Sequence, residues 1–335
     1  MKDKKLTYRD AGVDQEKAQE LTEFIKEKVK KAFGFDQIGG FAAGLPLEGF
    51  KRPRLLATAD GVGTKLLVAQ AVNVHRPVGI DLVAMNVNDL ITTGARPLMF
   101  FDYVATGKLE PEVFKELLEG MIKGCKEAGV VLAGGETAEM PDFYPPGRYD
   151  LAGFCVGVAE EEELLPKELD ERTLLVGLPS SGLHSNGFSL IRKVLRQKGL
   201  SYQHFLPELG KRVWEVLLEP TRIYAKEVKK LKEAGVKLKA MAHVTGGGIP
   251  ENVRRLLPEN LRARVYKEAL PESELFNWVR ELTGLPDEEL FKTFNMGVGF
   301  ILFVDESELG RVKELLPEAF ELGRLEKGKR AVVIE

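Results

Sequence analysis

Arg54-Leu-Leu-Ala-Thr-Ala59 runs directly into Asp60-Gly-Val-Gly-Thr-Lys65, and Leu66-Leu-Val-Ala-Gln-Ala-Val72 follows. An apolar strand-sized run, a glycine-bearing turn and a helix-forming run in immediate succession are the unit from which α/β domains are built. The same order recurs outward from it. Asp81–Thr93 is expected to be a helix stopped by Gly94 and Pro97, Leu98–Ala105 a strand, Pro111–Ala128 a helix and Val130–Ala133 a strand ending in Gly134-Gly-Glu136. Upstream, Asp14–Phe33 carries Ala18, Leu21, Ile25 and Val29 at helical spacing. Tyr149–Ala159 closes this half as a strand. The acidic run Glu160–Glu163, followed by Pro166, marks a boundary, so residues 1–168 are expected to form one domain and 169–335 a second. The second half opens with the strand Thr173–Leu178, and strands and helices interleave through it to a closing strand at Ala331–Ile334.

Composition narrows the function classes. The 335 residues hold 48 Lys plus Arg against 51 Asp plus Glu, a net charge of −3, with no long basic run to attract a nucleic acid. Apolar runs such as Val298–Val304 are too short to span a membrane, and the charged start Met1-Lys-Asp-Lys-Lys5 lacks the apolar core of a signal peptide. Two cysteines, Cys125 and Cys155, cannot staple a fold, and reduced thiols in a cytoplasmic protein are expected. Glycine is in excess, 34 residues, and its clusters carry the chemistry.

Asp60-Gly61-Val-Gly63-Thr64-Lys65 has the parts of a phosphate cradle: glycines that expose backbone N–H groups, a helix start and a full positive charge on Lys65. It has neither P-loop nor dinucleotide-fingerprint spacing. Asp60, Asp89 and Glu136 all sit at glycine-rich junctions or on the polar side of a helix, as oxygen ligands of a Mg²⁺ that carries nucleotide phosphates do. Asp81, at the expected helix start, is taken as a cap. In the second half, Ser180-Ser181-Gly-Leu-His184-Ser185-Asn186-Gly187 and His243-Val-Thr245-Gly246-Gly247-Gly248 offer hydroxyls, an amide and unobstructed backbone donors suited to a phosphorylated substrate. His184 and His243 are the two candidates for proton transfer, and the sequence does not choose between them.

These segments form a pattern. Asp60–Lys65, Gly79-Ile-Asp-Leu-Val-Ala-Met85, Asn88-Asp-Leu90, Gly134-Gly-Glu-Thr-Ala-Glu-Met140, Ser180–Gly187, Pro220-Thr-Arg-Ile-Tyr224, Thr245–Gly248 and Phe294-Asn-Met-Gly297 occur in register. Together with Tyr8–Asp14 the chain resembles the phosphoribosylformylglycinamidine cyclo-ligase, or aminoimidazole ribonucleotide synthetase, family over essentially its whole length. The resemblance implies a two-domain fold of mixed sheets with helices outside, whose N-terminal sheets join as a barrel across a homodimer, with the ATP site near that junction. It implies ATP-dependent closure of formylglycinamidine ribonucleotide to aminoimidazole ribonucleotide, with release of ADP and phosphate. ATP phosphorylates the formyl amide oxygen, and the amidine nitrogen then attacks the activated carbon. The implied nucleotide site comprises Asp60–Lys65, Asn88, Asp89 and Glu136. The selenophosphate synthetases fit less well, since no Cys precedes Cys125. Thiamine-monophosphate kinases lack the Ser180–Gly187 pattern, and the hydrogenase-maturation dehydratases end in a cysteine where this chain ends Val333-Ile-Glu335. A non-catalytic nucleotide-binding module would have lost the carboxylates or Lys65, and all are present.

Overall fold

The computed structural model describes residues 15–38 and 42–335. The matched segment Tyr8–Asp14 and residues Gly39–Phe41 lie outside them. The first half contains α1 (Gln15–Phe33), β1 (Pro53–Gly61), α2 (Leu66–Val72), α3 (Arg76–Thr92), β2 (Arg96–Thr106), α4 (Pro111–Ala128), β3 (Val131–Glu139) and β4 (Tyr149–Glu160). Its four strands form a mixed sheet in the order β1-β4-β2-β3, with β2 and β3 parallel and the other pairs antiparallel.

The second half begins with β5 (Thr173–Pro179) and α5 (Phe188–Gln197), then a minimal hairpin of β6 (Phe205–Leu206) and β7 (Lys211–Arg212). It continues through α6 (Val213–Leu217), α7 (Ala225–Glu233), β8 (Leu238–His243), α8 (Gly248–Arg254) and β9 (Leu261–Val265). The chain then forms α9 (Glu274–Thr283), α10 (Asp287–Thr293), β10 (Val298–Asp305), α11 (Leu309–Leu315), β11 (Phe320–Lys327) and β12 (Val332–Ile334). Six strands pair in the order β12-β9-β11-β5-β10-β8, parallel only between β12 and β9.

Helix α3 organises the molecule. It starts at Arg76, five residues before the expected start, with Pro77 in its first turn where a missing N–H costs nothing. Asp81 is therefore an interior helical residue and not a cap. Residues around the whole circumference of α3 are buried, because it lies between the first sheet, α4 and the second half. Gly79 and Gly120 let α3 and α4 touch backbone to backbone: a Cβ on Gly79 would lie 2.3 Å from the Leu117 carbonyl oxygen. The apolar core runs continuously from α3 and α4 into β5, α5 and α7.

Two expected turns prove to be strand. β1 continues through Asp60 and Gly61, and β3 continues through Gly134 and Gly135 to Glu139. Glycine inside a strand marks a close approach. A Cβ on Gly135 would meet the Asp102 carboxylate at 2.3 Å, and one on Gly134 would press on the Phe101 ring at 3.3 Å. Glu136 is thus a mid-strand residue and not part of a glycine turn.

Candidate active site

Where β1 ends, Gly61, Val62 and Gly63 (φ +67°) turn the chain into α2 and leave Asp60 at the mouth of a cleft between the two halves. This cleft, of about 530 Å³, is lined by Asp60–Gly63, Met85, Asp150–Ala152, and from the second half Ser185, Asn186, Thr245 and Gly246. The sequence motifs of both halves therefore meet. Asp60 is pushed above the ordinary carboxylate range by burial and by the charge of Asp89, partly offset by the Gly61 N–H, which donates to Asp60 Oδ1 at 2.7 Å. Two mutually repelling carboxylates beside an open cleft are what a divalent cation relieves. Mg²⁺ takes one or two carboxylates and fills its other positions with phosphate oxygens and water, so the pair fits it.

Asp89 is about two-fifths exposed, and its Oδ1 lies 2.8 Å from Nδ1 of the buried His243. The Asn88 amide settles the tautomer. Its Oδ1 accepts from Tyr224 N–H at 3.0 Å, so its Nδ2 is the end facing His243 Nε2 at 3.4 Å. Nε2 therefore accepts, and Nδ1–H donates to Asp89. His184 is different. It is fully buried at φ +58°, its Nε2 accepts the Ser181 N–H at 3.2 Å, and its Nδ1 has no partner. Burial holds its pKa well below the usual histidine value, and the neighbouring His243, Lys65 and Arg222 lower it further.

Several expected roles change. Lys65 is wholly buried and its three N–H bonds go to Asp81 Oδ1 (3.0 Å), the His184 carbonyl (3.0 Å) and the Glu219 carbonyl (2.7 Å). Burial lowers its pKa while Asp81 pulls it back up. No donor remains for a phosphate, so the expected catalytic and nucleotide-binding role of Lys65 gives way to an internal one. Asn88, expected at the nucleotide, is likewise buried and tied to Arg222 and Tyr224. Thr64 pairs its hydroxyl with Ser189 at 3.0 Å. Ser180 and Ser181 direct their hydroxyls to Asn295 (3.1 Å) and the Pro220 carbonyl (2.6 Å). Gly247 and Gly248 answer to the backbone: both have positive φ, and a Cβ on Gly248 would lie 1.8 Å from the Phe291 carbonyl oxygen.

Glu136 is not brought to Asp60 and Asp89. Asp60 pairs with Gly153, Gly153 with Asp102, and Asp102 with Gly135, so these four share one face of the sheet. Glu136, the next residue, points to the other face, and three strand spacings, about 14 Å, separate β1 from β3. Among the described residues no group of three or more His, Cys, Asp or Glu is placed to hold a metal ion. Glu136 instead lines a second cleft of about 550 Å³ at the β3 edge, beneath α1, with Phe101, Asp102 and Tyr103. Asp102 was absent from the sequence argument. Burial pushes its pKa up to about 7. Its signal was an acid placed inside the apolar strand Leu98–Ala105.

Residues 47–159 match the family "AIR synthase related protein, N-terminal domain", and residues 173–335 the corresponding C-terminal domain. A phosphoribosylformylglycinamidine cyclo-ligase of Synechococcus sp. (strain JA-2-3B'a(2-13)) is 47% identical over 332 residues, 96% of this chain and 93% of that protein. The chain belongs to the phosphoribosylformylglycinamidine cyclo-ligase family. Its members are ligases, and this chain is an enzyme of that class. The namesake from Thermoanaerobacter pseudethanolicus is 45% identical, covering 98% of this chain and 100% of its own. A solved hydrogenase maturation protein HypE in complex with ATP shares the fold, with a TM-score of 0.69 at 15% identity, over 95% of this chain and 91% of that one. Among the described residues no helix is long and apolar enough to cross a membrane.

Proposed function

We propose that this cyclo-ligase uses ATP to close formylglycinamidine ribonucleotide to 5-aminoimidazole ribonucleotide, releasing ADP and phosphate, in de novo purine synthesis in the cytoplasm. The observation that carries this reading is the near-full-length identity to relatives named for that reaction. The inter-domain cleft supports it, because a two-substrate transfer needs both molecules held face to face. The Asp60–Gly63 turn stands on one side for the nucleotide phosphates, with the charge of Asp89 acting on Asp60, and Ser185, Asn186, Thr245 and Gly246 stand opposite for the ribonucleotide. The fold neighbour solved with ATP is consistent with nucleotide binding in this architecture.

Asp60 and Asp89 are the residues that would hold Mg²⁺, whose charge, when bound, neutralises the phosphate oxygens. The chain's own residues supply position and proton handling. Ser185 and Asn186 offer donors that orient the substrate. The His243–Asp89 pair is the better proton carrier of the two histidine sites, because Asp89 reaches solvent while both faces of His184 are closed in protein. The Asp89 carboxylate takes up the proton on its other oxygen, while the His243 Nδ1–H, donated to Oδ1 at 2.8 Å, holds the carboxylate in place.

A homodimer fits the exposed face of the first sheet, opposite α3 and α4. It presents Leu55 (65% exposed) and Phe154 (44% exposed), large apolar side chains that a second sheet would cover. Glu136 lies on that same face, so its part in nucleotide binding is assigned across the junction between the two copies. The test is turnover: phosphate release from ATP should require formylglycinamidine ribonucleotide. Release at the same rate without it would reject the cyclisation reading.

A further inference from the structure

The motif Pro220-Thr-Arg-Ile-Tyr224 takes no part in the reaction described above, yet it lies at the centre of the hydrogen bonding between the two halves. We propose that Glu219–Tyr224 is a strap that positions the substrate loop Ser180–Asn186. Lys65, Asp81 and Asn88 hold the strap, and Thr221 is its link to the loop.

The first half grips the strap by its backbone. Asp81 and Asn88 are seven residues apart, two turns of α3, and so project from the same side of the helix. Asp81 Oδ1 accepts both the Thr221 N–H (2.7 Å) and the Thr221 hydroxyl (2.6 Å). Its Oδ2 has the Lys65 ammonium at 2.8 Å and no aligned donor. Asn88 donates to the Arg222 carbonyl at 2.8 Å and accepts from Tyr224 N–H at 3.0 Å. Lys65 donates to the Glu219 carbonyl. The strap then grips the loop. The Thr221 and Ser185 hydroxyls are 3.2 Å apart, the Ser181 hydroxyl donates to the Pro220 carbonyl, and Arg222 and Tyr224 both donate to the carbonyl of Pro179, at 3.3 and 2.9 Å.

Lys65, Asp81 and Asn88 are completely buried. Burying such groups is costly, and an apolar set would hold two domains together at least as firmly. What the polar set adds is direction: each donor and acceptor admits one placement of the strap, and through Thr221 one placement of Ser185 at the cleft. The residues act through the loop and do not touch either ligand, so they are positioning residues.

This rests on the substrate side of the cleft as assigned above, and the experiment separates the two. Thr221→Val removes the hydroxyl that joins Asp81 to Ser185 while keeping the side chain's shape. It should raise KM for formylglycinamidine ribonucleotide about tenfold and leave KM for ATP within about twofold, and Thr221→Ser should restore the wild-type value. A Thr221→Val protein that melts lower but keeps both KM values, or raises both equally, overturns the proposal. A reading that survives an unfolded variant uses the wild-type protein. Lys65 should resist acetylation by acetic anhydride with and without ATP, whereas labelling of Lys65 that ATP blocks would return it to the phosphates and overturn the strap. Failure of the wild-type protein to turn over would strike the reaction and leave the Lys65 result standing.

Discussion

The two clefts are nearly equal in volume, about 530 and 550 Å³, and each contains carboxylates, but they are built differently. The inter-domain cleft draws lining residues from both halves and carries two acids, the exposed Asp150 and the partly buried Asp60, on which Asp89 and His243 act as the nearby charged groups. The β3-edge cleft is made by the first half alone, with α1 laid over apolar side chains and two carboxylates on neighbouring strands, the half-buried Asp102 and the exposed Glu136. The difference teaches that neighbours along a strand serve opposite faces of the sheet, so closeness in sequence does not bring side chains to one site. Gly135 and Glu136 are neighbours in sequence, yet only the first faces Asp102 and the core.

The largest expected effect falls on the inter-domain cleft. Asp89→Asn and Asp60→Asn should each lower kcat/KM about a hundredfold or more and weaken Mg²⁺-dependent ATP binding by calorimetry. Full ATP affinity in both variants would shift the nucleotide to the other cleft. The next test joins the clefts. Asp60→Asn and Glu136→Gln proteins, each impaired alone, should regain about a quarter of wild-type activity when mixed and allowed to exchange. Half of such dimers would hold one intact site made from both copies. No recovery would place Glu136 outside the nucleotide site.

Smaller effects separate the two cleft walls. Ser185→Ala and Asn186→Ala should raise KM for the ribonucleotide about tenfold with little change for ATP, read in steady-state kinetics. The smallest effect concerns stability in the β3-edge cleft. The folded-state pKa of Asp102, about 7, lies above the ordinary 3.8, so the native state binds the extra proton between those values. Stability therefore falls as pH rises through that window, and the cost is complete above pH 7. Asp102→Asn should raise Tm by a few degrees at pH 8 and much less at pH 4, and an equal shift at both would refute the buried-carboxylate account.

Much of the fold was legible because period and punctuation are local. The β1–turn–α2 junction, α4 from Pro111 and the opening strand of the second half all follow from short windows of sequence. The start of α3 was missed although Pro77 marked it. Placement at the cleft was legible only where a residue's position is set by its own loop, as for Asp60, Ser185 and Asn186, which line it. Lys65 carried a charge in a glycine turn and suggested a phosphate, but its partners are at Asp81, His184 and Glu219. Nothing local to residue 65 reveals that those groups enclose it. The same holds for Asn88, whose ligands are the backbone of Arg222 and Tyr224.

The most direct test of the central claim follows one atom. With formylglycinamidine ribonucleotide carrying oxygen-18 at the formyl position, the account predicts that the label leaves in the inorganic phosphate, one atom per ring closed. Label recovered in water, with unlabelled phosphate, would contradict phosphorylation of the formyl oxygen and the reading of the cleft built on it.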